Sequence, residues 1–479
     1  MERDNEFEKR IGKKLQSDLP AGTHDASENT DERARRHMQR SANKPAQKQS
    51  IKTSIGKRWA LRGAVVVAAV AIFVTSFSFI VYKLPLLQAK ADTIYDTGGH
   101  LNNINYKTPS GDFINAYNGF GLNVLGRLYK GKQNVFLSPA SLYLALGMTY
   151  NGANGQTAID FEKVLNTASG NIEGFDQDCL ALQSMMTSSS RFKFANSIWL
   201  RDSFSKKING SFLERNKHFF GSTICTLNFS SPDAPTVINR WVKNHTGNRI
   251  DPKFKQFDAN TMINIINTVY FKSDWKKQFD GQNTRDGGFK TPSGSKTVKL
   301  MYGEYTRYFE NEFLQGIILP YDDNKSSMMV LLPKTNLDDL LGKMTSEDLT
   351  AYVKDNMNSR TKAKLTLPRV NLSYEASLDD TLKTLGLKTA FDSDRADFSG
   401  MAKPNSGLYI SQVTHMTYLA IDEKGTEAAA ATAVQMAGSA PPLKENTMVV
   451  DHPFLTAIVN NETGAMLFIG IVTDPSVSQ

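Results

Sequence analysis

The chain has 479 residues, of which 40% are hydrophobic, 10% aromatic and 22% charged; this is ordinary globular composition and excludes a chain disordered throughout. Two cysteines, Cys179 and Cys225, exclude a disulfide-stapled scaffold and a thiolate zinc cluster, and leave open whether the two pair. A net charge of +8 would point to nucleic acid or anionic lipid if it covered a folded face, but residues 1–62 hold +6 of it and the remaining 417 residues only +2.

In chain order, residues 1–62 come first. Positions 33–62 carry ten basic side chains and no acidic one, among Asn, Gln, Ser and Pro, and such a segment cannot bury enough to fold alone. Residues 63–82, GAVVVAAVAIFVTSFSFIVY, contain no charge. As a helix rising 1.5 Å per residue, twenty residues span the roughly 30 Å hydrocarbon core. Lys52, Lys57, Arg58 and Arg62 precede this stretch, and only Lys83 and Lys90 follow closely. The positive-inside bias therefore puts the N-terminus in the cytoplasm as a disordered basic tail, and this membrane role leaves no need for a nucleic-acid partner. A secretory signal is the alternative, because Ala89-Lys90-Ala91 matches a small-x-small cleavage site. Both readings export residues 92–479, as a single-pass membrane protein with an extracellular domain or as a secreted one. Residues 83–111 read as a spacer, and a folded domain is expected over 112–479.

Within that domain FINAYNGFGLNVLGRLYKG spaces apolar residues by three and four, as on an amphipathic helix. NVFLSPASLYLALGMTYNGANGQT reads as a short strand, a Ser-Pro helix start, a small-residue helix and a turn. RFKFANSIWL, TMINIINTVYF, SSMMVLLP, AKLTLPRVNLSY, MVVDHPFLTAIVN and AMLFIGIV are β-branched or aromatic runs bounded by turn residues, hence strands. No internal repeat or later linker breaks the series, so one mixed helix and sheet domain is expected. Enzyme motifs are missing: there is no Gly-x-Ser-x-Gly elbow, His-Glu-x-x-His, Walker loop or Gly-x-Gly-x-x-Gly after a strand. His415 and His452, without a motif around them, read as core histidines rather than catalytic bases. Asn-x-Ser/Thr triplets occur at Asn209, Asn228, Asn244, Asn324, Asn371 and Asn461, a frequency that chance supplies.

Residues 420–446, AIDEKGTEAAAATAVQMAGSAPPLKEN, are the unusual stretch. Thr426 as cap, Glu427 in the first turn and a run of alanines read as a helix ended by Gly438 and Pro441-Pro442. Ala428 to Ala431 would give that helix no large apolar stripe to bury, and a long functional loop of small residues is the other reading.

Here the chain resembles the serpin family of serine-protease inhibitors. The segment Glu423, Gly425, Thr426, Glu427, Ala428, Ala429, Ala430, Ala431 and Thr432, with Lys424 among them, looks like the hinge of an inhibitory reactive-centre loop. Asp451-His452-Pro453-Phe454-Leu455 and Thr463-Gly464-Ala465-Met466-Leu467-Phe468-Ile469-Gly470 resemble the family's C-terminal signature. Residues 134–157, Ile238-Asn239-Arg240-Trp241-Val242, 267–275, Leu319-Pro320-Tyr321, Leu332-Pro333 and Leu385-Gly386-Leu387 to Asp397-Phe398-Ser399 follow in family order. The resemblance implies an α+β fold of three β-sheets and eight or nine helices with an exposed reactive-centre loop. It also implies an inhibitor rather than an enzyme, a monomer without cofactor or metal. In such an inhibitor the protease cuts the loop, becomes an acyl-enzyme, and is trapped as the loop enters the main sheet. A non-inhibitory binding or chaperone-like serpin is the alternative.

By the same resemblance Ser138, Ser141, Asn267 and His415 match the polar cluster, or shutter, under the central strands. Trp275 and Arg369 match the breach at the top of the sheet, with Arg369 expected to pair with Glu423. The family's hinge-to-bond spacing puts the scissile bond between Ser439 and Ala440; Gly438-Ser439 and Met436-Ala437 are alternatives. No Arg or Lys lies between Thr426 and Pro442, so the expected targets are serine proteases with small primary pockets, elastase-like or subtilisin-like.

Overall fold

A computed structural model describes residues 92–95, 108–187, 191–403, 407–426 and 445–477. The basic tail and the apolar stretch 63–82 lie outside the described residues, as do hinge residues 427–432 and the candidate bond residues Met436, Ala437, Gly438, Ser439 and Ala440. Among the described residues no helix is long and apolar enough to cross a membrane.

Nine α-helices are present among the described residues: α1 (Gly111–Leu128), α2 (Pro139–Tyr150), α3 (Gly155–Leu165), α4 (Ile172–Thr187), α5 (Gly210–Phe220), α6 (Ala234–His245), α7 (Leu337–Lys343), α8 (Ser346–Asn356) and α9 (Asp379–Leu385). Ser110 caps α1 by accepting from the Phe113 N–H at 3.2 Å, and Phe113, Ile114, Tyr117, Phe120, Val124 and Leu125 form its buried face. In α2, Ser138 is the cap and Pro139 opens the helix with its φ already set. All twelve residues of α2 are buried, so it is the central post of the core.

The main sheet has six strands: β1 (Asp92–Tyr95), β3 (Phe192–Arg201), β4 (Thr223–Leu227), β5 (Ile263–Phe271), β13 (Val370–Ser377) and β14 (Ile410–Ile421), in spatial order β1-β4-β3-β5-β14-β13. Every residue of β5 is buried, because the sheet is covered on both faces. On one side β3 and β5 lie over α2, while on the other Trp199, Ile266 and Met416 pack with Ile238 and Val242 of α6. A second sheet runs β2 (Val135–Leu137), β18 (Met466–Val472), β17 (Phe454–Asn460), β11 (Ser326–Pro333), β10 (Leu314–Pro320) and β9 (Tyr308–Glu310). A third runs β16 (Asn446–Val449), β12 (Ala363–Pro368), β8 (Gly294–Tyr305) and β7 (Arg285–Thr291), and β15 (Gly425–Thr426) pairs with β6 (Ser273–Asp274).

Three details depart from the reading by segment. Asp92–Tyr95, inside the expected spacer, pairs antiparallel with β4 as the edge of the main sheet; an edge strand is held by backbone bonds, which leave little side-chain pattern. The single run AKLTLPRVNLSY is two strands in different sheets, β12 and β13, divided where Pro368 ends one ladder and the Arg369 N–H donates to the Lys299 carbonyl at 2.9 Å. MVVDHPFLTAIVN likewise divides into β16 and β17 around Pro453. Cys179 on α4 and Cys225 on β4 are buried and not joined by a disulfide.

Candidate functional site

The site is built where β14 ends. At Ile421 the chain reverses immediately, and Asp422 makes the turn: its Oδ1 accepts from the N–H of Lys424 at 2.9 Å and of Gly425 at 3.2 Å. The Asp422 N–H in turn donates to the Gly425 carbonyl at 3.0 Å. The two residues of β15 then run antiparallel to β6, with Gly425 opposite Asp274 and Thr426 opposite Ser273. Since β6 follows β5 by a single residue, the segment leaving β14 has already begun to pair along the line of β5. Only glycine fits at 425, because a Cβ there would fall on the Ser273 carbonyl and within 2.5 Å of the Asp274 Cα.

Trp275 holds this turn from three sides. Its Nε1 donates to the Asp422 carbonyl at 2.8 Å, its N–H donates to the Lys424 carbonyl at 2.6 Å, and its ring stacks on Tyr321 at 4.7 Å between centroids. The Tyr321 hydroxyl hydrogen-bonds Thr426 Oγ1 at 2.7 Å, and Thr426 is buried. Beside it, Glu423 Oε1 accepts from Arg369 Nε at 2.8 Å and Nη2 at 2.6 Å, and from the Thr284 hydroxyl. Burial alone would raise the Glu423 carboxyl; the bonds from Arg369 and Thr284 outweigh it and hold the group below the usual carboxylate range.

A second cluster lies at mid-height in the same sheet. Asn196, Asn267 and His415 stand opposite one another on β3, β5 and β14, so their side chains leave the same face, toward the start of α2. The His415 Nε2 accepts from the Ser138 N–H at 3.0 Å, which fixes the proton on Nδ1, and Nδ1 donates to Asn267 Oδ1. Asn267 Nδ2 donates to Ser141 Oγ at 2.5 Å and to Asn196 Oδ1 at 2.6 Å. The Ser138 hydroxyl reaches the Leu467 carbonyl at 2.7 Å. His415 is fully buried, and that burial pushes its pKa down to about 3. The one side-chain bond crossing from β5 to β14 in this cluster is thus the link between Asn267 and a neutral His415.

The structure therefore brings Ser138, Ser141, Asn267 and His415 into one cluster, and Glu423, Gly425, Thr426, Trp275 and Arg369 into another. Sequence reasoning missed Asn196, Thr284 and Tyr321 as members. Asn196 was legible once β3 and β5 were set in register, whereas Thr284 and Tyr321 reach the turn from loops that only tertiary packing places. Among the described residues no group of His, Cys, Asp and Glu could hold a metal ion.

The serpin family profile, serine protease inhibitor, matches residues 115–475. The chain belongs to the serpin family. It is 33% identical over 372 residues to an uncharacterised serpin-like protein of Thermococcus kodakarensis, covering 76% of this chain and 85% of that one. It is 31% identical over 357 residues to leukocyte elastase inhibitor A of Rattus norvegicus, covering 71% and 93%. The crystal structure of the thermophilic serpin tengpin in the native state superposes with a TM-score of 0.73 at 28% identity, over 80% of this chain and all of that one. The family profile is described as that of serine protease inhibitors, which are not catalysts, and the rat relative is itself named an elastase inhibitor.

Proposed function

We propose that this serpin traps serine proteases as a suicide substrate, with the segment beyond Thr426 as bait and the seam between β5 and β14 as its destination. One observation carries the reading. Strands β5 and β14 are parallel neighbours, and the chain turns back directly at the end of β14. A segment continuing that reversal runs antiparallel to both strands, so it can bond to each in the stronger antiparallel pattern. The pairing of Thr426 with Ser273 sets the register. Carried on without a bulge, it puts Ala428 opposite Phe271, Ala430 opposite Val269 and Thr432 opposite Asn267, on the face over α2. Glu427, Ala429 and Ala431 fall on the other face. Small side chains suit an opening between strands that are buried on both faces, and Thr432 arrives where the Asn267–His415 link must part.

Ten inserted residues, bonded on both sides at about 1 kcal/mol per bond, would stabilise the product by on the order of 10 kcal/mol. In this reading Ser138, Ser141, Asn267 and His415 control opening, while Trp275 and the Arg369–Glu423 pair hold the root of the bait. The cut falls at Ser439-Ala440, or at Gly438-Ser439 or Met436-Ala437, by proteases with small primary pockets. Residues 63–82 anchor the inhibitor in the membrane with the N-terminus cytoplasmic, unless processing near Ala91 releases it; protease protection of the tail in intact cells checks this. The experiment for the inhibitory reading is incubation with elastase-like, subtilisin-like and trypsin-like proteases. An SDS-stable complex with a small-pocket enzyme, and a cut within 436–440 by mass spectrometry, is expected. Cleavage without complex by every small-pocket enzyme would overturn it.

A further inference from the structure

Asn264 is the second residue of β5 and is fully buried, yet among the described residues neither its Oδ1 nor its Nδ2 has a hydrogen-bond partner. A buried amide with both groups unbonded has given up water and gained nothing in return, so native cores rarely keep one. Its neighbours do not repair the loss. On β3, Trp199 stands opposite Asn264, but the indole Nε1 donates to Ser197 Oγ at 2.8 Å. On β14, Gln412 stands opposite and does not bond it either. The next side chain along β5 on that face, Ile266, packs in the apolar cluster under α6. A second such group lies across the seam: Thr414 Oγ1, on β14 opposite Ile266, is buried and also has no partner among the described residues. Two unmet polar side chains therefore flank the β5–β14 seam on the face toward α6.

The bait holds one side chain that would meet this need. The pairing of Gly425 with Asp274 and of Thr426 with Ser273, carried on down the seam without a bulge, brings Gln435 opposite Asn264. Gln435 is the one Asn or Gln between Thr426 and Pro442. Residues opposite one another on antiparallel strands share a face, with Cβ atoms about 5 Å apart. Two amides so placed can each donate to the other's oxygen, since each carries both a donor and an acceptor. We propose that Gln435 is a positioning residue of the inserted state, whose amide pairs with the unmet amide of Asn264 and latches the bait at full depth. This inference rests on the inhibitory reading above. Because β5 begins at Ile263, the pair forms only when the new strand has run nearly the whole length of the seam. By then Thr432 has passed the Asn267–His415 link, so the latch prolongs the inserted state and leaves the speed of entry unchanged. On this account the buried amide of Asn264 serves the product of insertion and is left unmet in the native fold.

The test compares the full chain with Gln435→Leu, Asn264→Leu and the double variant, each before and after a cut within residues 436–440 by a protease that it does not trap. Denaturant unfolding gives the ratio of folded to unfolded chain for each form. In the cut form Gln435→Leu should lower that ratio about tenfold, the scale of two hydrogen bonds, while the uncut form keeps the parent's value. A merely structural role would move both forms alike. In the cut form the double variant should lose less than the sum of the two single ones, because either change alone strands the other amide. Should Asn264→Leu fail to fold, the comparison of cut and uncut Gln435→Leu decides alone. A cut Gln435→Leu chain as stable as the cut parent, or single losses that simply add, would overturn the latch while insertion stands. A cut parent no more stable than the uncut one would overturn insertion, and the latch with it.

Discussion

His415 holds one proton and has no room for a second. Its Nε2 faces the Ser138 N–H, so a proton there would set donor against donor inside the core. The folded pKa of about 3 lies below the ordinary 6.5, and between these limits the unfolded chain binds a proton that the native one does not. Stability therefore rises with pH across that window and is lost as pH falls from about 6.5 toward 3, by about 1.4 kcal/mol per unit. Denaturant unfolding at pH 5 and 7.5 should show this loss in the parent chain, and His415→Gln should show a smaller one; equal slopes would remove His415 as the cause. Arg369 acts differently. It is 46% exposed on the side chain, while Glu423 is 11% exposed, so Arg369→Ala leaves a buried carboxylate with only Thr284 as side-chain partner. The expected loss is about 1–2 kcal/mol by equilibrium unfolding, discounted for solvent around the guanidinium. Gly425→Ala should loosen the turn itself, read as faster hydrogen exchange of the Gly425 and Thr426 amides, because its Cβ would meet the β6 backbone.

At the scale of elements, the seam between β5 and β14 is where sequence and structure meet most closely. TMINIINTVYF reads on paper as a strand rich in β-branched and aromatic residues, and β5 is buried throughout, Asn264 and Asn267 included, as a strand covered on both faces must be. Ser138 and Pro139 announced the start of α2 because capping chemistry is local. What the sequence left unreadable was pairing: that β12 and β13 belong to different sheets, that Asn196 sits in line with Asn267, and that Tyr321 comes to Thr426. Those facts depend on contacts far apart in the chain, which neither propensity nor period encodes. The C-terminal signature, by contrast, was legible through family resemblance rather than physics, and the hinge is expected on that ground alone, since an alanine run by itself reads equally as a helix. For the proposed insertion, Thr432→Arg is the discriminating change. A charged, long side chain opposite Asn267 would stall entry at mid-sheet, so the stoichiometry of inhibition should rise severalfold as cleavage outruns trapping. An unchanged stoichiometry would mean that residue 432 never reaches the shutter.

For the whole molecule, the proposal is that the native fold is held short of its most stable arrangement. Six strands of the main sheet are closed in the native state, with two residues of the bait segment already paired past the end of β5. On this proposal the reserve lies in one unmade strand and in the cluster that must open to admit it. Tethering such a molecule through residues 63–82 would hold this reserve at a cell surface, where each inhibitor is used once. The most direct measurement is a melting scan of the chain before and after cleavage within residues 433–440 by a protease that it does not trap. Insertion predicts a rise on the order of 10 °C, because about ten residues gain bonds on both sides. A cleaved chain that melts at the native temperature or below would show a nicked loop and an unopened sheet, and would contradict insertion.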